Sequence, residues 1–256
     1  MDLSVIVPGF RVKEWQNMYQ SIKQSFSGQW EMIIVGPYSP DFSEPNLTWI
    51  EDWGCPTRCQ QIGMLEAKGD WHCYGWDDGV YQNGALDRAW ETLKEHNFDY
   101  KTIVIGKFVE GNAEQLKGYM PMLTEEYYFI RTHEEARSPY LPDDFKILST
   151  GLISAKLIKE VGGFDCQFET MALSVLDLSI RLQLYGCKMI VQEGVMLICS
   201  WQPGNTGDHE PVNKAFYNAD MPRYQKKYRS PDFNPDIIIS KNNWQEVPRK
   251  WNRRFA

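Results

Sequence analysis

The first 110 residues alternate short apolar runs with amphipathic helical patterns, and this alternation restricts the possible folds most strongly. β-type runs are predicted at residues 3–7, 30–35, 71–76 and 102–108, with helices around residues 15–26, 58–68 and 85–96. This order favours an α/β fold with a mostly parallel central sheet flanked by helices. Right-handed crossovers place the carboxyl ends of the strands at one edge, where open sheets bind ligands.

The second half of the chain is less regular. The sequence predicts a strand end and a short helix within residues 151–161, a helix at 173–185, closing strands at 188–191 and 195–199, and loops at 139–144 and 203–208. No repeat, low-complexity segment or obvious linker is present. We therefore expect one domain over residues 1–222, with a smaller subregion in its second half.

Charge is unevenly distributed along the chain. The net charge is −7, but residues 223–256 contain nine basic and three acidic residues and so carry +6, which leaves −13 on residues 1–222. The acidic body argues against a nucleic-acid partner. The basic tail also carries six aromatic residues. It is compatible with peripheral contact to an anionic membrane surface, with packing in a homodimer, or with a frayed end.

Apolar runs are too short for a membrane span, since none approaches about 18 residues. The sequence opens directly on a strand pattern rather than on a charged leader, so we expect a cytoplasmic protein with reduced cysteines. Aromatic residues make up 14% of the chain. Such a content suits flat, hydroxyl-bearing ligands such as sugars, and a tryptophan-rich core is the alternative explanation.

The sharpest local motif is Trp76-Asp77-Asp78-Gly79, which directly follows an apolar strand. Hard cations such as Mg²⁺ and Mn²⁺ take oxygen ligands and are often held by one or two carboxylates together with substrate phosphates. Adjacent acids repel each other unless a positive charge lies between them. The motif therefore indicates a divalent-metal site, and a turn of solvated acids is the alternative.

The order of these segments resembles that of family 2 glycosyltransferases, which have the GT-A fold. The resemblance covers roughly residues 1–200. Residues 3–8 resemble the first strand of the family, residues 30–35 resemble the second, and residues 66–78 resemble the segment that delivers the Asp-X-Asp motif. Residues 161–165, 177–182 and 186–187 resemble the acceptor-side signature of the family. The resemblance implies a nucleotide-binding half at about 1–110 and an acceptor half at about 111–222.

The resemblance also implies site residues. It places the metal ligand at Asp78 and a late histidine ligand at His209, with Mn²⁺ or Mg²⁺ as the cofactor. For His209, the alternative is a surface histidine in a polar loop. Pro8, Gly9, Phe10, Arg11 and Gly36 are expected to bind the donor because they follow the first two strands at the ligand-binding edge. The resemblance adds Arg58 and Asp77 to these donor-binding positions. Two departures stand out: Trp76 occupies the position of the first motif aspartate, and Gly36-Pro37 replace an acidic pair that helps to hold the base. A UDP-sugar is therefore a default expectation. For Arg58, the alternative is a surface arginine.

The catalytic base of the family is normally the aspartate of a Glu-Asp pair, but that pair aligns with Ser174-Val175 here. Two nearby carboxylates are candidates. Glu169 precedes the acceptor helix and is the preferred base, with a solvated loop acid as the alternative. Asp177 lies four residues before Arg181, a spacing that favours a structural ion pair on one helix face.

The sequence thus favours an inverting, metal-dependent glycosyltransferase that moves a sugar from a nucleotide-sugar donor to a hydroxyl of a glycan, lipid-linked or protein acceptor. The absent Glu-Asp pair supports an alternative, a GT-A-like module that binds a sugar nucleotide or glycan without catalysis. A nucleotidyltransferase is disfavoured because the segment after the first strand is poor in glycine. A dinucleotide oxidoreductase is disfavoured because no Gly-x-Gly-x-x-Gly follows that strand.

Overall fold

The computed structural model describes residues 1–110, 146–200, 209–231, 233 and 236–250. In these ranges eight strands form: β1 (Leu3–Pro8), β2 (Trp30–Gly36), β3 (Leu47–Glu51), β4 (Trp71–Tyr74), β5 (Gly79–Tyr81), β6 (Thr102–Glu110), β7 (Gly151–Ser154) and β8 (Lys188–Cys199). The α-helices are α1 (Val12–Ser25), α2 (Pro56–Glu66), α3 (Ala85–Glu95), α4 (Ala155–Glu160), α5 (Met171–Leu184), α6 (His209–Ala215) and α7 (Met221–Tyr228). The predicted loops at 139–144 and 203–208 lie outside the described residues.

The eight strands form one sheet in the order β3-β2-β1-β4-β7-β6-β8-β5. Neighbours run parallel except where β7 lies between β4 and β6 and where β5 pairs with β8. Six of these strands therefore share one direction, and the predicted mostly parallel sheet is confirmed. The two predicted closing strands are one strand, β8, whose pairing with β6 shifts register around Lys107.

Two strands, β3 and β5, were not predicted from the sequence. β3 is an edge strand with a half-buried pattern, and it pairs with β2 from Met32 opposite Leu47 to Gly36 opposite Glu51. β5 has only three residues. Both are too short or too polar to give a distinct apolar run.

Helices cover both faces of the sheet, which explains why β1 is buried along almost its whole length. On one face, Val5 and Val7 pack with α1 and α3 through residues such as Trp15 and Leu86. On the other face, Ile6 packs with the cluster formed by α2, α4 and α5. Alternate β1 side chains thus enter two separate cores.

The C-terminal helices belong to the body of the protein. α6 leads through a π-helical turn, Phe216–Asp220, into α7, so α7 runs across the expected boundary at residue 222. Tyr224 and Tyr228 of α7 are fully buried against α5, and Phe233 packs on the same cluster. The start of the basic segment is therefore fixed by apolar packing. Within the described ranges, no helix is long and apolar enough to cross a membrane.

Candidate active site

The carboxyl ends of β1 and β4 are joined by the side chain of Asp77. Its Oδ2 accepts hydrogen bonds from the backbone N–H groups of Phe10 and Arg11, both at 2.7 Å. Its Oδ1 accepts a hydrogen bond from Nη1 of Arg11 at 2.5 Å. Because β1 and β4 are parallel neighbours, their ends meet at the same edge of the sheet. Asp77 therefore fixes the turn between β1 and α1 against the end of β4.

The same guanidinium lies beside the second acid. Nη1 of Arg11 is 3.7 Å from Oδ2 of Asp78. The Arg11 side chain is 20% exposed and that of Asp78 is 9% exposed. Arg11 thus supplies positive charge beside the adjacent carboxylates, which would otherwise repel each other. We call the group of Arg11, Asp77 and Asp78 the acid corner.

The predicted glycines shape the backbone next to the acid corner. The N–H of Gly9 donates to the carbonyl oxygen of Val35 at 2.8 Å, which continues the pairing of β1 with β2 beyond Pro8. A Cβ on Gly36 would overlap the carbonyl oxygen of Gly9. Both predicted positions therefore lie at the expected edge, and the absence of a side chain at Gly36 has a packing reason.

Exposed aromatic rings follow the ends of three adjacent parallel strands. Phe10, Tyr38 and Trp53 come after β1, β2 and β3, and each keeps about half of its surface exposed: 51%, 42% and 47%. Ring centroids of Phe10 and Tyr38 are 5.3 Å apart, and those of Tyr38 and Trp53 are 5.8 Å apart. We call these three residues the aromatic strip. Of the three, only Phe10 is among the predicted donor-binding positions; Tyr38 also follows a predicted strand, and Trp53 follows β3, which was not predicted.

Arg58 is buried and bound within the protein. Its Nε and Nη2 donate to the carboxylate of Asp52, at 2.9 Å and 2.8 Å, and Nη1 donates to the carbonyl oxygen of Trp244. The guanidinium also lies 4.8 Å from the centroid of the Trp244 ring. The side chain is only 2% exposed, which is incompatible with the alternative of a surface arginine. Arg58 ties the start of α2 to the C-terminal segment, and donor binding by Arg58 stays a prediction.

Glu169 lies immediately before α5 in a buried position. It is 1% exposed, so the alternative of a solvated loop acid is wrong. Asp220 holds this segment by accepting from the N–H groups of Glu169 at 3.0 Å and Thr170 at 2.8 Å, and from Oγ1 of Thr170 at 2.6 Å. Burial raises the pKa of the nearby Cys55 thiol to about 12, and the negative charges of Glu169 and Asp220 add to that shift. The hydroxyl of Thr57 in α2 donates to that of Ser174 in α5 at 3.0 Å, so the first turns of these two helices are in contact.

Asp177 is fully buried in α5 and forms the predicted pair with Arg181, at 2.8 Å. Nζ of Lys227 donates to Asp177 at 2.8 Å, and the hydroxyl of Tyr228 donates at 2.5 Å. Burial alone would raise the pKa of Asp177, but Arg181, Lys227 and Tyr228 together hold it below its ordinary value. Arg181 also donates to the carbonyl oxygen of Gly163 at 2.5 Å. These contacts give Asp177 a structural role that joins α5, α7 and the Gly162-Gly163 turn.

The acid corner fits a divalent cation in part. Trp76, at the position of the first motif aspartate, stacks on Phe108 with centroids 5.8 Å apart and offers no oxygen ligand. Asp77 accepts hydrogen bonds on both oxygens, and a ribose contact by Asp77 stays a prediction. Asp78 fits a cation site completed by substrate phosphates. Within the described residues, no group of three or more His, Cys, Asp or Glu side chains is placed to hold a metal. His209 begins α6, and its side chain lies outside the description.

The structure therefore brings two sets of predicted residues together. Pro8, Gly9, Phe10, Arg11, Gly36, Asp77 and Asp78 line one edge of the sheet. Glu169 and Asp177 lie in the layer formed by α2, α5 and α7. Asp220 was missed because its contact with Glu169 spans 51 residues of sequence.

No protein-family model and no curated protein matches this sequence. Solved structures of TarS from S. aureus share its fold. The 1–349 form in complex with UDP is 17% identical, with a TM-score of 0.57 over 88% of this chain and 69% of that chain. The complex with UDP-GlcNAc is 14% identical, with a TM-score of 0.56 over 88% and 70%. A further TarS structure is 14% identical, has a TM-score of 0.57 and covers 99% of this chain and 50% of that chain.

These similarities confirm the predicted fold class: a GT-A-like α/β fold with a mostly parallel sheet flanked by helices. At such low identity the similarity concerns the fold alone. What the site does has to be argued from its own residues.

Proposed function

We propose that this protein is a metal-dependent glycosyltransferase that moves a sugar from a nucleoside-diphosphate sugar to a hydroxyl acceptor. The observation that carries this proposal is the acid corner, which lies at the carboxyl edge of a GT-A-like sheet. Open α/β sheets bind ligands at that edge. The support from known proteins is that TarS, which has this fold, is recorded in complexes with UDP and UDP-GlcNAc.

The donor is proposed to lie along the edge, with its diphosphate at Asp78 and its base toward Phe10 of the aromatic strip. Pro8, Gly9 and Gly36 would shape the floor beneath it. Asp78 and His209 are the proposed protein ligands of Mn²⁺ or Mg²⁺, and the metal would offset the negative charge that develops on the leaving diphosphate. A UDP-sugar is the proposed donor, because UDP is the nucleotide in the TarS complexes.

Glu169 is the proposed general base, since it is a buried carboxylic acid whose backbone N–H is fixed by Asp220 just before α5. Its task would be to take the proton of the acceptor hydroxyl as that oxygen attacks the anomeric carbon, with inversion. The acceptor would be a glycan, lipid-linked or protein hydroxyl. Asp177 is the weaker candidate, because it is committed to Arg181, Lys227 and Tyr228.

Replacing Glu169 by glutamine tests the base directly. We expect turnover to fall by about 100-fold or more while the KM for the donor stays within about threefold, because general-base catalysis contributes about 10²–10⁴-fold. Steady-state kinetics measure both quantities, and Glu95→Gln, at an exposed position on α3, is the matched control. Near-normal turnover of Glu169→Gln would remove the assignment.

A second candidate function is a GT-A-like module that binds a sugar nucleotide or glycan without transfer. The observation in its favour is Val175, which occupies the position of the family's base and is buried at 4% exposure. Transfer or hydrolysis of a sugar nucleotide that requires Mn²⁺ and is lost in Asp78→Ala distinguishes the enzyme from the module. Binding without any turnover would favour the module.

A thermal-shift panel of UDP-, GDP- and other nucleotide sugars with Mn²⁺ tests the whole proposal. We expect one donor class to raise the melting temperature of the wild type, since a ligand that binds only the folded state stabilises it. Asp78→Asn should show a smaller shift that no longer depends on Mn²⁺, and Asp41→Asn, an exposed acid after β2, should keep the full shift. No shift with any nucleotide sugar would contradict the proposal.

The remaining proposals concern the surroundings of the enzyme. We propose a cytoplasmic protein that works without nucleic acid. Peripheral membrane contact and homodimer formation through the basic segment 223–256 stay predictions. Co-sedimentation with anionic liposomes at low salt tests the first, and the mass in solution tests the second.

A further inference from the structure

Arg11 holds a fixed positive charge inside the acid corner. Its Nη1 is 2.5 Å from Oδ1 of Asp77 and 3.7 Å from Oδ2 of Asp78. Its own backbone N–H donates to Asp77 at 2.7 Å, so the residue is anchored at two points. A guanidinium stays charged throughout the accessible pH range. The positive charge at this edge therefore belongs to the protein and does not depend on a bound ion.

The distances place this charge within reach of a donor diphosphate. A donor diphosphate that shares a cation with Asp78 would approach the same carboxylate that Arg11 contacts. Nη1 of Arg11 is 3.7 Å from the same carboxylate. Arg11 and the diphosphate would thus both lie beside the Asp78 carboxylate. Guanidinium groups bind phosphates through short, charge-assisted hydrogen bonds.

We propose that Arg11 is a second, built-in cation of the donor site: it contacts the donor diphosphate directly and gives the protein affinity for the nucleotide without a divalent metal. This inference rests on the proposed function, because it takes a nucleoside diphosphate as the ligand. It assigns separate roles to the two side chains. Arg11 holds the diphosphate before and after metal binding, and Asp78 recruits the metal.

Calorimetric titration with UDP, in EDTA and in Mn²⁺, tests the inference on four proteins: wild type, Arg11→Gln, Arg11→Lys and Lys13→Gln. Wild type should bind UDP measurably in EDTA. Arg11→Gln should weaken that binding by about tenfold or more, since hydrogen bonds to charged groups contribute about 1.5–3 kcal/mol. Arg11→Lys should lie between the two, because a lysine keeps the charge but loses the planar fork. Lys13→Gln removes an exposed charge two residues away and should change the dissociation constant by less than about twofold.

Binding of uridine shows whether Arg11 contacts the phosphates or only maintains the local structure. Arg11→Gln should leave the affinity for uridine, measured by ligand-observed NMR, unchanged, because the nucleoside has no phosphate. Equal losses for uridine and UDP would mean that Arg11 only maintains the fold of the edge, and the inference would be overturned. It would also be overturned if Arg11→Gln bound UDP as wild type does, or if wild type bound UDP only with Mn²⁺.

The outcomes for wild type distinguish this inference from the proposed function. If wild type binds no nucleotide even in Mn²⁺, the proposed function itself fails. If it binds in Mn²⁺ and the Arg11 variants behave as wild type, only the role of Arg11 fails. Should another nucleotide give the largest thermal shift, its diphosphate and its nucleoside replace UDP and uridine as probes.

Discussion

Two of the aspartate–arginine pairs among the described residues, Arg11 with Asp77 and Arg181 with Asp177, have sharply different surroundings. In the acid corner, one guanidinium nitrogen lies beside two adjacent carboxylates, and the Arg11 side chain is 20% exposed. In α5, Asp177 and Arg181 are both at 0% exposure. There one carboxylate accepts from Arg181, Lys227 and Tyr228. The chemistry of the pair is the same, but only the acid corner lies at an edge that a ligand can approach.

The pair in α5 is a structural ion pair, whereas the acid corner is a candidate binding site. A buried pair is costly to break, because the remaining partner becomes an uncompensated charge in a medium of low dielectric. A partly exposed pair exchanges partners more readily, because water screens the charges. We therefore expect substitutions in α5 to act on stability and substitutions in the acid corner to act on ligand binding and turnover.

The largest expected effect is on stability, from Asp177→Asn. Removing the charge leaves Arg181 and Lys227 without their shared carboxylate, and breaking a buried pair in this way costs about 3–5 kcal/mol. Denaturant unfolding measures the loss. Glu210→Gln breaks the exposed pair with Lys214 and should cost less than about 1 kcal/mol. Similar losses for the two variants would contradict the expected difference between the buried pair in α5 and an exposed ion pair.

The second largest expected effect is on turnover rather than on stability. Asp78→Asn should lower turnover by about 100-fold, equivalent to about 2.7 kcal/mol, because the proposed cation ligand is lost. Its free energy of unfolding should stay within about 1 kcal/mol of wild type, since Arg11 keeps its pair with Asp77 at 2.5 Å and lies 3.7 Å from Asp78. Kinetics and unfolding on the same sample check both. A stability loss as large as that of Asp177→Asn, with normal turnover per folded molecule, would contradict the account.

The smallest expected effect is on the pH dependence of stability, and it comes from a buried histidine, His72. His72 of β4 is fully buried, and neither ring nitrogen has a hydrogen-bond partner among the described residues. Burial, with a contribution from Lys159, lowers the pKa of His72 to about 3. The unfolded chain binds a proton near pH 6.5 while the folded protein does not. Stability should therefore fall as the pH drops from about 6.5 toward 3, by up to about 1.4 kcal/mol per pH unit.

Replacing His72 by leucine removes this proton linkage. Between pH 7.5 and 5.0 the leucine variant should lose about 2 kcal/mol less stability than wild type, measured by denaturant unfolding at each pH. His96→Gln, at a partly exposed position after α3, is the control and should follow the wild-type profile. If His72→Leu has the same pH profile as wild type, the histidine is not held neutral by burial.

Local patterns in the sequence predict the frame of this fold. The strands β1, β2 and β4 are mostly apolar runs because helices cover both faces of the sheet. The helices α1 and α3 have apolar residues at helical spacing because each buries one stripe. β3 was missed because an edge strand is only half buried. The acid corner was predictable because parallel neighbours such as β1 and β4 must end together.

The environments of the other site residues depend on distant parts of the chain. Arg58 donates to the carbonyl oxygen of Trp244, 186 residues away, and Glu169 is held by Asp220, 51 residues away. No local periodicity reports such contacts. The Asp177–Arg181 pair was predictable, because a spacing of four places both side chains on one helix face.

The central claim is that the acid corner holds the diphosphate of a nucleotide donor. A crystal structure with UDP and Mn²⁺, with the ion located by its anomalous signal, tests it most directly. The account predicts the ion at the Asp78 carboxylate and a phosphate oxygen within hydrogen-bond distance of the Arg11 guanidinium. UDP bound elsewhere on the protein, or an acid corner unchanged at saturating UDP and Mn²⁺, would contradict it.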